Sequence, residues 1–247
     1  MKLSKIEWTE ATWNPSVGCD KVSAGCKFCY AEVMAKRLQA MGTLGYENGF
    51  EFQIVPERLD IPKRIKRPTK FFVNSMSDLF HEKMPFDFLD KIFKTISDTP
   101  QHTYQILTKR ENRLQRYFEK RLVPDNVWLG VTVENILKKN RIDVLRDIDA
   151  RIRFLSIEPL LEDLGEVNFT NIHWVIVGGE SGHKARKMKP EWAINIQKQC
   201  DEQNVSFFFK QWGTWGEDGI KRSKKTNGRL LLGQEWNEEP EVILSEY

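Results

Sequence analysis

The chain has 247 residues, 40% of them hydrophobic, with 38 basic and 35 acidic side chains and a net charge of +3. That length suits one large α/β domain or two small ones with a sizeable core. No stretch approaches the roughly 20 apolar residues of a membrane-spanning helix, and a charge this small does not by itself establish a nucleic-acid partner.

The first fifteen residues, MKLSKIEWTEATWNP, hold no apolar run, so no export signal is expected and the cytoplasm is the expected compartment. An irregular strand is expected near Thr12–Val17, interrupted by Pro15. Three cysteines follow, then a helix over Tyr30–Met41 with Tyr30, Met34, Leu38 and Met41 on one face and Gly42 ending it. Residues 43–69 read as an insertion. Six apolar segments then read as buried strands: Lys70–Met76, Tyr104–Lys109, Val127–Val133, Arg153–Pro159, His173–Gly179 and Ser206–Trp212. Helical patterns separate them over Pro85–Ser97, Glu111–Arg121, Asn135–Asp147 and Pro190–Gln203. In the third of these, Leu137, Val144 and Leu145 are the expected inward positions. The link Leu160–Ile172 is too short for a long crossover helix.

Repeated strand–helix alternation implies a parallel sheet, and no GxGxxG follows the first strand, so a dinucleotide fold has little support. The expected fold is a parallel (β/α) barrel, partial, with six or seven strands. It is expected to fill residues 1–213, with 214–247 as a C-terminal extension. Chemistry in such a barrel sits at the C-terminal ends of the strands.

Cys19, Cys26 and Cys29 lie within eleven residues, whereas Cys200 lies in an ordinary helical pattern. Three thiolates can hold three irons of a [4Fe–4S] cluster and leave the fourth open to a substrate or cofactor. Zinc is the rival, since Cys-x-x-Cys is a common half-site. Its missing half is hard to find, because His81, His102, His173 and His183 are scattered without paired-ligand spacing. A disulfide would leave one of the three unpaired.

Polar groups gather at the predicted strand ends: Ser75, Ser77 and Asp78; Thr108 and Lys109; Thr132 and Glu134; Ser156 and Glu158; Gly178-Gly179-Glu180; and Lys210. Strand ends are polar in any case because loops reach water. Glu158 and Lys210 stand out, since each interrupts a strongly apolar run and a buried charge needs a partner. A Glu158–Lys210 pair would satisfy both without catalysis.

The Cys-x6-Cys-Lys-Phe-Cys run, with Phe28 before the last cysteine, resembles the cluster loop of radical S-adenosylmethionine enzymes, although their first gap is usually three residues. The stretches Ile6–Pro15, Gly18-Cys19 and Gly25–Glu32 closely resemble a phage- and prophage-borne family of uncharacterised three-cysteine proteins. That likeness continues through Phe72–Phe80, Gln105–Lys109, Trp128–Glu134, Phe154–Leu160, Trp174–Gly182 and Phe209–Trp212. A fainter likeness is to spore photoproduct lyase, a radical enzyme that repairs a thymine dimer in DNA. These resemblances imply a [4Fe–4S] cluster on Cys19, Cys26 and Cys29, S-adenosyl-L-methionine as cofactor, and a 5′-deoxyadenosyl radical that removes hydrogen from nucleic acid or a nucleotide. They place Ser75, Ser77, Asp78, Thr108, Lys109, Thr132, Glu134 and Ser156 against the cofactor. Glu158, Glu180 and Lys210 become catalytic candidates, and a reducing partner such as flavodoxin or ferredoxin is implied.

Two basic clusters are compatible with phosphates: Arg58, Lys63, Arg64, Lys66, Arg67 and Lys70 against one acid, and Lys221, Arg222, Lys224 and Lys225. Trp212 and Trp215 are candidates for stacking on a base. The alternatives left open are a non-enzymatic nucleic-acid-binding protein with a zinc or closed iron–sulfur site, and a radical enzyme acting on a peptide or metabolite.

Overall fold

A computed structural model describes residue 4 and residues 6–241 of the chain. Seven parallel strands, in chain order, form a partial (β/α) barrel sheet, as the alternation of apolar strands and amphipathic helices requires. The chain divides into two compact units, Met1–Thr132 with Asn140–Arg151, and Val133–Lys139 with Ile152–Tyr247.

In the first unit, β1 (Ala11–Trp13) stops at Asn14-Pro15. The chain resumes as β2 (Ser16–Val17), which pairs antiparallel with the two-residue β3 (Gln53–Ile54) beyond α1 (Tyr30–Ala40). There follow β4 (Lys70–Val73), α2 (Phe86–Ser97), β5 (Thr103–Thr108), α3 (Glu111–Phe118), β6 (Val127–Thr132) and α4 (Asn140–Arg146). Ala11 pairs with Phe71, Phe71 with Tyr104 and Tyr104 with Val127, all in parallel ladders. The loops leaving these strands therefore share one side. Every residue of β6 is buried, which is why its apolar positions run on without alternation.

Two helices depart from the periodicity. On α1 the buried face is Ala31 and Ala35, with Leu38 packed against Val17, Tyr46, Val55 and Met76. Tyr30, Val33, Met34 and Met41 are exposed, the reverse of the expected face for three of them. Two small side chains let the helix backbone approach its neighbours closely, and the bulkier residues are left outside. The expected helix from Asn135 is broken into a 3₁₀ turn, Ile136–Lys138, and α4. Asn135 is in extended backbone, and Leu137 is 80% exposed rather than inward.

The second unit holds β7 (Ile152–Ile157), β8 (Trp174–Gly178), α5 (Pro190–Glu202), β9 (Ser206–Gln211) and the short α6 (Lys224–Asn227). Phe154 pairs with Trp174 and Trp174 with Ser206, again in parallel ladders. No helix links β7 to β8. That connection instead buries Leu160, Leu164, Val167, Phe169 and Ile172. The segment after Gly213 belongs to this unit and returns along the free edge of β9, where Phe209 N donates to Trp236 O. That return shields an otherwise open sheet edge. Cys200 is a fully buried thiol of α5, raised well above the ordinary thiol range by burial.

Candidate functional site

The three cysteines leave β1 and β2 and lie on the side of the first unit where β4 and β5 end. Gly18 fixes the entry. Its φ is +75°, and a Cβ there would lie 2.0 Å from the carbonyl oxygen of Glu51, so only glycine fits. Gly18 N donates to Met76 O, Cys19 N donates to Phe50 O, and the Ser77 hydroxyl donates to Gly18 O at 2.7 Å. Cys26 closes a 3₁₀ turn, and Cys29 is the N-cap residue of α1. All three thiols are half-buried.

Arg110, which the sequence analysis does not single out, is a central group of this site. It is only 8% exposed, and its Nη2 lies 3.9 Å from Cys19 Sγ and 3.3 Å from Asp20 O. Its Nε is buried without a hydrogen-bond partner, 3.9 Å from a carboxylate oxygen of Asp78. Burial, and then the charge of Asp78, push the Cys19 thiol up to about 12, against the opposing pull of Arg110. An iron or other cation would reverse this, because coordination deprotonates a thiol outright.

Asp78 is 7% exposed and tightly engaged. Its Oδ1 accepts from Phe80 N at 3.0 Å and from the Thr108 hydroxyl at 2.6 Å; its Oδ2 accepts from Lys109 N at 3.0 Å. Thr108 in turn accepts from Arg110 N at 2.9 Å. The network ties the loop after β4 to the end of β5 and sets the course of Arg110. Lys109 Nζ donates to the buried Thr132 hydroxyl at 3.2 Å and meets no carboxylate among the described residues. Ser75 hydrogen-bonds Asn14, and its carbonyl accepts from the Tyr30 hydroxyl. Six of the eight expected cofactor residues lie in the first unit: Ser77 meets the cysteine loop at Gly18, Asp78, Thr108, Lys109 and Thr132 follow as one hydrogen-bonded chain, and Ser75 is bonded to Asn14 and Tyr30.

The other two, Glu134 and Ser156, are buried in the second unit, where Val133 N donates to Ser156 O. At the ends of β7 and β9 the pairing foreseen from sequence is present: Lys210 Nζ lies 2.8 Å from Glu158 Oε2. Gln211 Nε2 donates to Glu158 Oε1, Gly179 O and Ser181 Oγ, and its own carbonyl oxygen is buried without a partner. Gly178 lets Glu158 pass, since a Cβ there would lie 3.3 Å from the carboxylate. Glu180 is held by Arg186 through its backbone N–H and its guanidinium.

The basic segment before β4 has a different address. Arg58 donates to Leu44 O and Asn14 O, and Lys63 pairs with Asp60 and Asp98. From Lys63 to Lys70 the chain runs beside residues 101–102, which precede β5, so it borders the strand N-termini, away from the cysteines. Trp212 is 2% exposed and donates to Leu230 O; it is a core residue and no base can stack on it.

Among the described residues, no three His, Cys, Asp or Glu side chains converge on one point where a single metal ion would sit. The donor chemistry nevertheless fits a multi-iron cluster. Each thiolate of such a cluster takes a different iron, so the sulfurs need not meet, and the under-satisfied guanidinium of Arg110 faces the site of an anionic group. No helix of the described residues is long and apolar enough to cross a membrane.

Fold and loop together define a partial-barrel α/β protein with a three-thiol loop after its first strand. The chain belongs to the DUF5131 family, described as proteins of unknown function, whose model matches residues 3–240. No curated protein matches it. Among solved structures it is similar to spore photoproduct lyase complexed with dinucleoside spore photoproduct, at 13% identity and a TM-score of 0.49, over 81% of this chain and 63% of that one. A cysteine-to-serine variant of the same lyase matches at 16% identity and a TM-score of 0.49, over 90% of this chain and 70% of the other. The chain thus spans about 63% of the length of the first of these. Likeness at this level assigns neither substrate nor cofactor.

Proposed function

We propose that the protein is a radical S-adenosyl-L-methionine enzyme that carries one [4Fe–4S] cluster on Cys19, Cys26 and Cys29 and acts on nucleic acid or a nucleotide. The observation that carries this reading is the loop itself. Three half-buried thiols leave the first strand of a parallel sheet, with a buried guanidinium 3.9 Å from one of them. When bound, the cluster and its sulfonium cofactor supply one-electron reductive cleavage and hence hydrogen abstraction.

The chain's own groups divide the remaining work. Gly18 and Ser77 hold the loop entry, and Arg110 offsets the negative charge gathered there. Lys109 and Thr132 present an ammonium and a hydroxyl to the cofactor carboxylate, while Asp78 and Thr108 position them. Ser75 lines the same loop. In the second unit, Glu134 and Ser156 serve the ribose, and Glu158, Lys210 and Glu180 face the substrate. An external one-electron donor such as flavodoxin or ferredoxin completes the system.

Anaerobic reconstitution tests the reading. About four irons and four sulfides per chain are expected by the cluster's formula. The optical spectrum should change on addition of S-adenosyl-L-methionine, and dithionite should release 5′-deoxyadenosine and methionine. Fully loaded, reduced protein that forms no 5′-deoxyadenosine, with or without nucleic acid, refutes the proposal.

A further inference from the structure

The second unit carries a basic face built from two segments that lie apart in sequence. The loop from β8 to α5, residues 179–189, holds four basic side chains and one acid, Glu180. The segment from 212 to 228 holds four basic and two acidic, a net of +5 over both against +3 for the whole chain. Directed hydrogen bonds clamp the two together. Gly182 N donates to Thr214 Oγ1 at 2.9 Å, and Thr214 N donates to Glu180 O at 3.0 Å. Trp215 Nε1 donates to Ala185 O at 2.7 Å, and Lys221 Nζ donates to His183 O at 2.6 Å. The side chain of Lys187 lies against Gly219, where a Cβ would collide with it.

The local acids, Glu180, Glu217 and Asp218, offset only part of this face. Glu180 is engaged by Arg186, and Asp218 by Arg222 through two bonds of 2.9 and 2.6 Å. Lys184, Lys187, Lys189, Lys221 and Lys225 are exposed and meet no carboxylate among the described residues. Crowding like charges on an exposed face opposes folding, so a predominantly basic face held in place by specific bonds points to an anionic partner. Its position adds to this. Both segments leave the C-terminal ends of β8 and β9, the side on which α/β folds bind ligands. Ser181, in the first segment, contacts Gln211 beside the Glu158–Lys210 pair.

We infer that this face binds the phosphate backbone of a polynucleotide and delivers it to the strand ends of the second unit. The inference rests on the nucleic-acid reading proposed above and replaces the segment before β4 as the phosphate contact. Trp215 is the scaffold of the face rather than a stacking platform, because its indole N–H is bonded to Ala185 and Lys221 Nζ covers its ring at 5.7 Å from the centroid.

Fluorescence anisotropy of labelled single-stranded DNA, duplex DNA and RNA, titrated across salt concentrations, tests it. The combined variant Lys184→Ser, Lys187→Ser, Lys224→Ser, Lys225→Ser should bind at least tenfold more weakly at moderate salt. Its log–log salt slope should be flatter by roughly 0.7 per lost contact on a single strand, or about 2.8 for four. The same positions changed to Arg should retain binding, and a Lys63, Arg64, Lys66, Arg67 to Ser variant should match wild type. Circular dichroism confirms that the variants fold. Equal slopes for wild type and the first variant, loss confined to the Lys63 set, or capture of an acidic protein but no polynucleotide would each overturn the inference. Release of 5′-deoxyadenosine without nucleic acid is measured on the same samples. Binding without cleavage refutes the enzyme reading and leaves this face standing; cleavage without binding does the reverse.

Discussion

Replacing Asp78 by alanine separates a positioning carboxylate from one that waits for a cofactor. In the protein as folded, three donors point at Asp78: the N–H of Phe80, the N–H of Lys109 and the hydroxyl of Thr108. Phe80 is fully buried, so its N–H has no water to turn to. A buried donor left without an acceptor costs about 1–3 kcal/mol. The Thr108 hydroxyl can rotate to a new partner, whereas the two backbone groups cannot. Two orphaned N–H groups, together with the lost counter-charge for Arg110, give about 3–4 kcal/mol, a large share of the roughly 5–15 kcal/mol that holds a domain folded. Asp78→Asn keeps one acceptor oxygen and should cost about 1–2 kcal/mol. Urea unfolding of the cluster-free protein reads both values with no cofactor present. If Asp78→Ala unfolds within about 0.5 kcal/mol of wild type, the size of an ordinary surface substitution, the carboxylate is not a structural hub and the reasoning fails.

Single Cys→Ala changes at Cys19, Cys26 and Cys29 should each abolish cluster assembly in iron and sulfide assays, whereas Cys200→Ala should keep full loading; a loaded Cys26→Ala protein would sink the ligand assignment. Gly18→Ala should also lose iron although it removes no ligand, because its Cβ would collide with the Glu51 carbonyl; normal iron content in that variant would show the loop entry to be pliable. Lys210→Met should cost about 2 kcal/mol by leaving the Glu158 carboxylate without its closest cation, and the double change with Glu158→Gln should cost less than the sum. Additive thermal shifts in that cycle would show the two side chains to be energetically independent.

The strands were legible because each is a short apolar run bounded by polar loops, and β6 announces itself by carrying no polar side chain from Val127 to Val131. Glu158 and Lys210 were legible for the converse reason, since a charge inside such a run must find its opposite. The buried face of α1 was not legible. Periodicity weights bulky residues, but Ala31 and Ala35 are the pair that permits close packing. Arg110 escaped for another reason. Its partners, Cys19, Asp20 and Asp78, lie 32 to 91 residues away, and nothing in the local pattern distinguishes a buried guanidinium from an exposed one. The lysine face was half-visible as KRSKK, but its other half joins only through tertiary bonds such as Trp215 to Ala185.

The manner in which the cysteine loop is fastened bears on how its length can change. Gly18 and Cys19 are pinned by bonds to Met76 and Phe50, and Cys29 is fixed as the cap of a helix. Between those anchors, residues 20–25 include none that is buried, and Val22 is 38% exposed. Beyond Asp20, which contacts buried Arg110 and His81, the spacer adds no residue to the core, so residues can be inserted or removed there without repacking anything beneath it. Spacing between the first two thiols is therefore an adjustable dimension of this scaffold, open to grafting of shorter or longer linkers, while the two anchor points stay fixed.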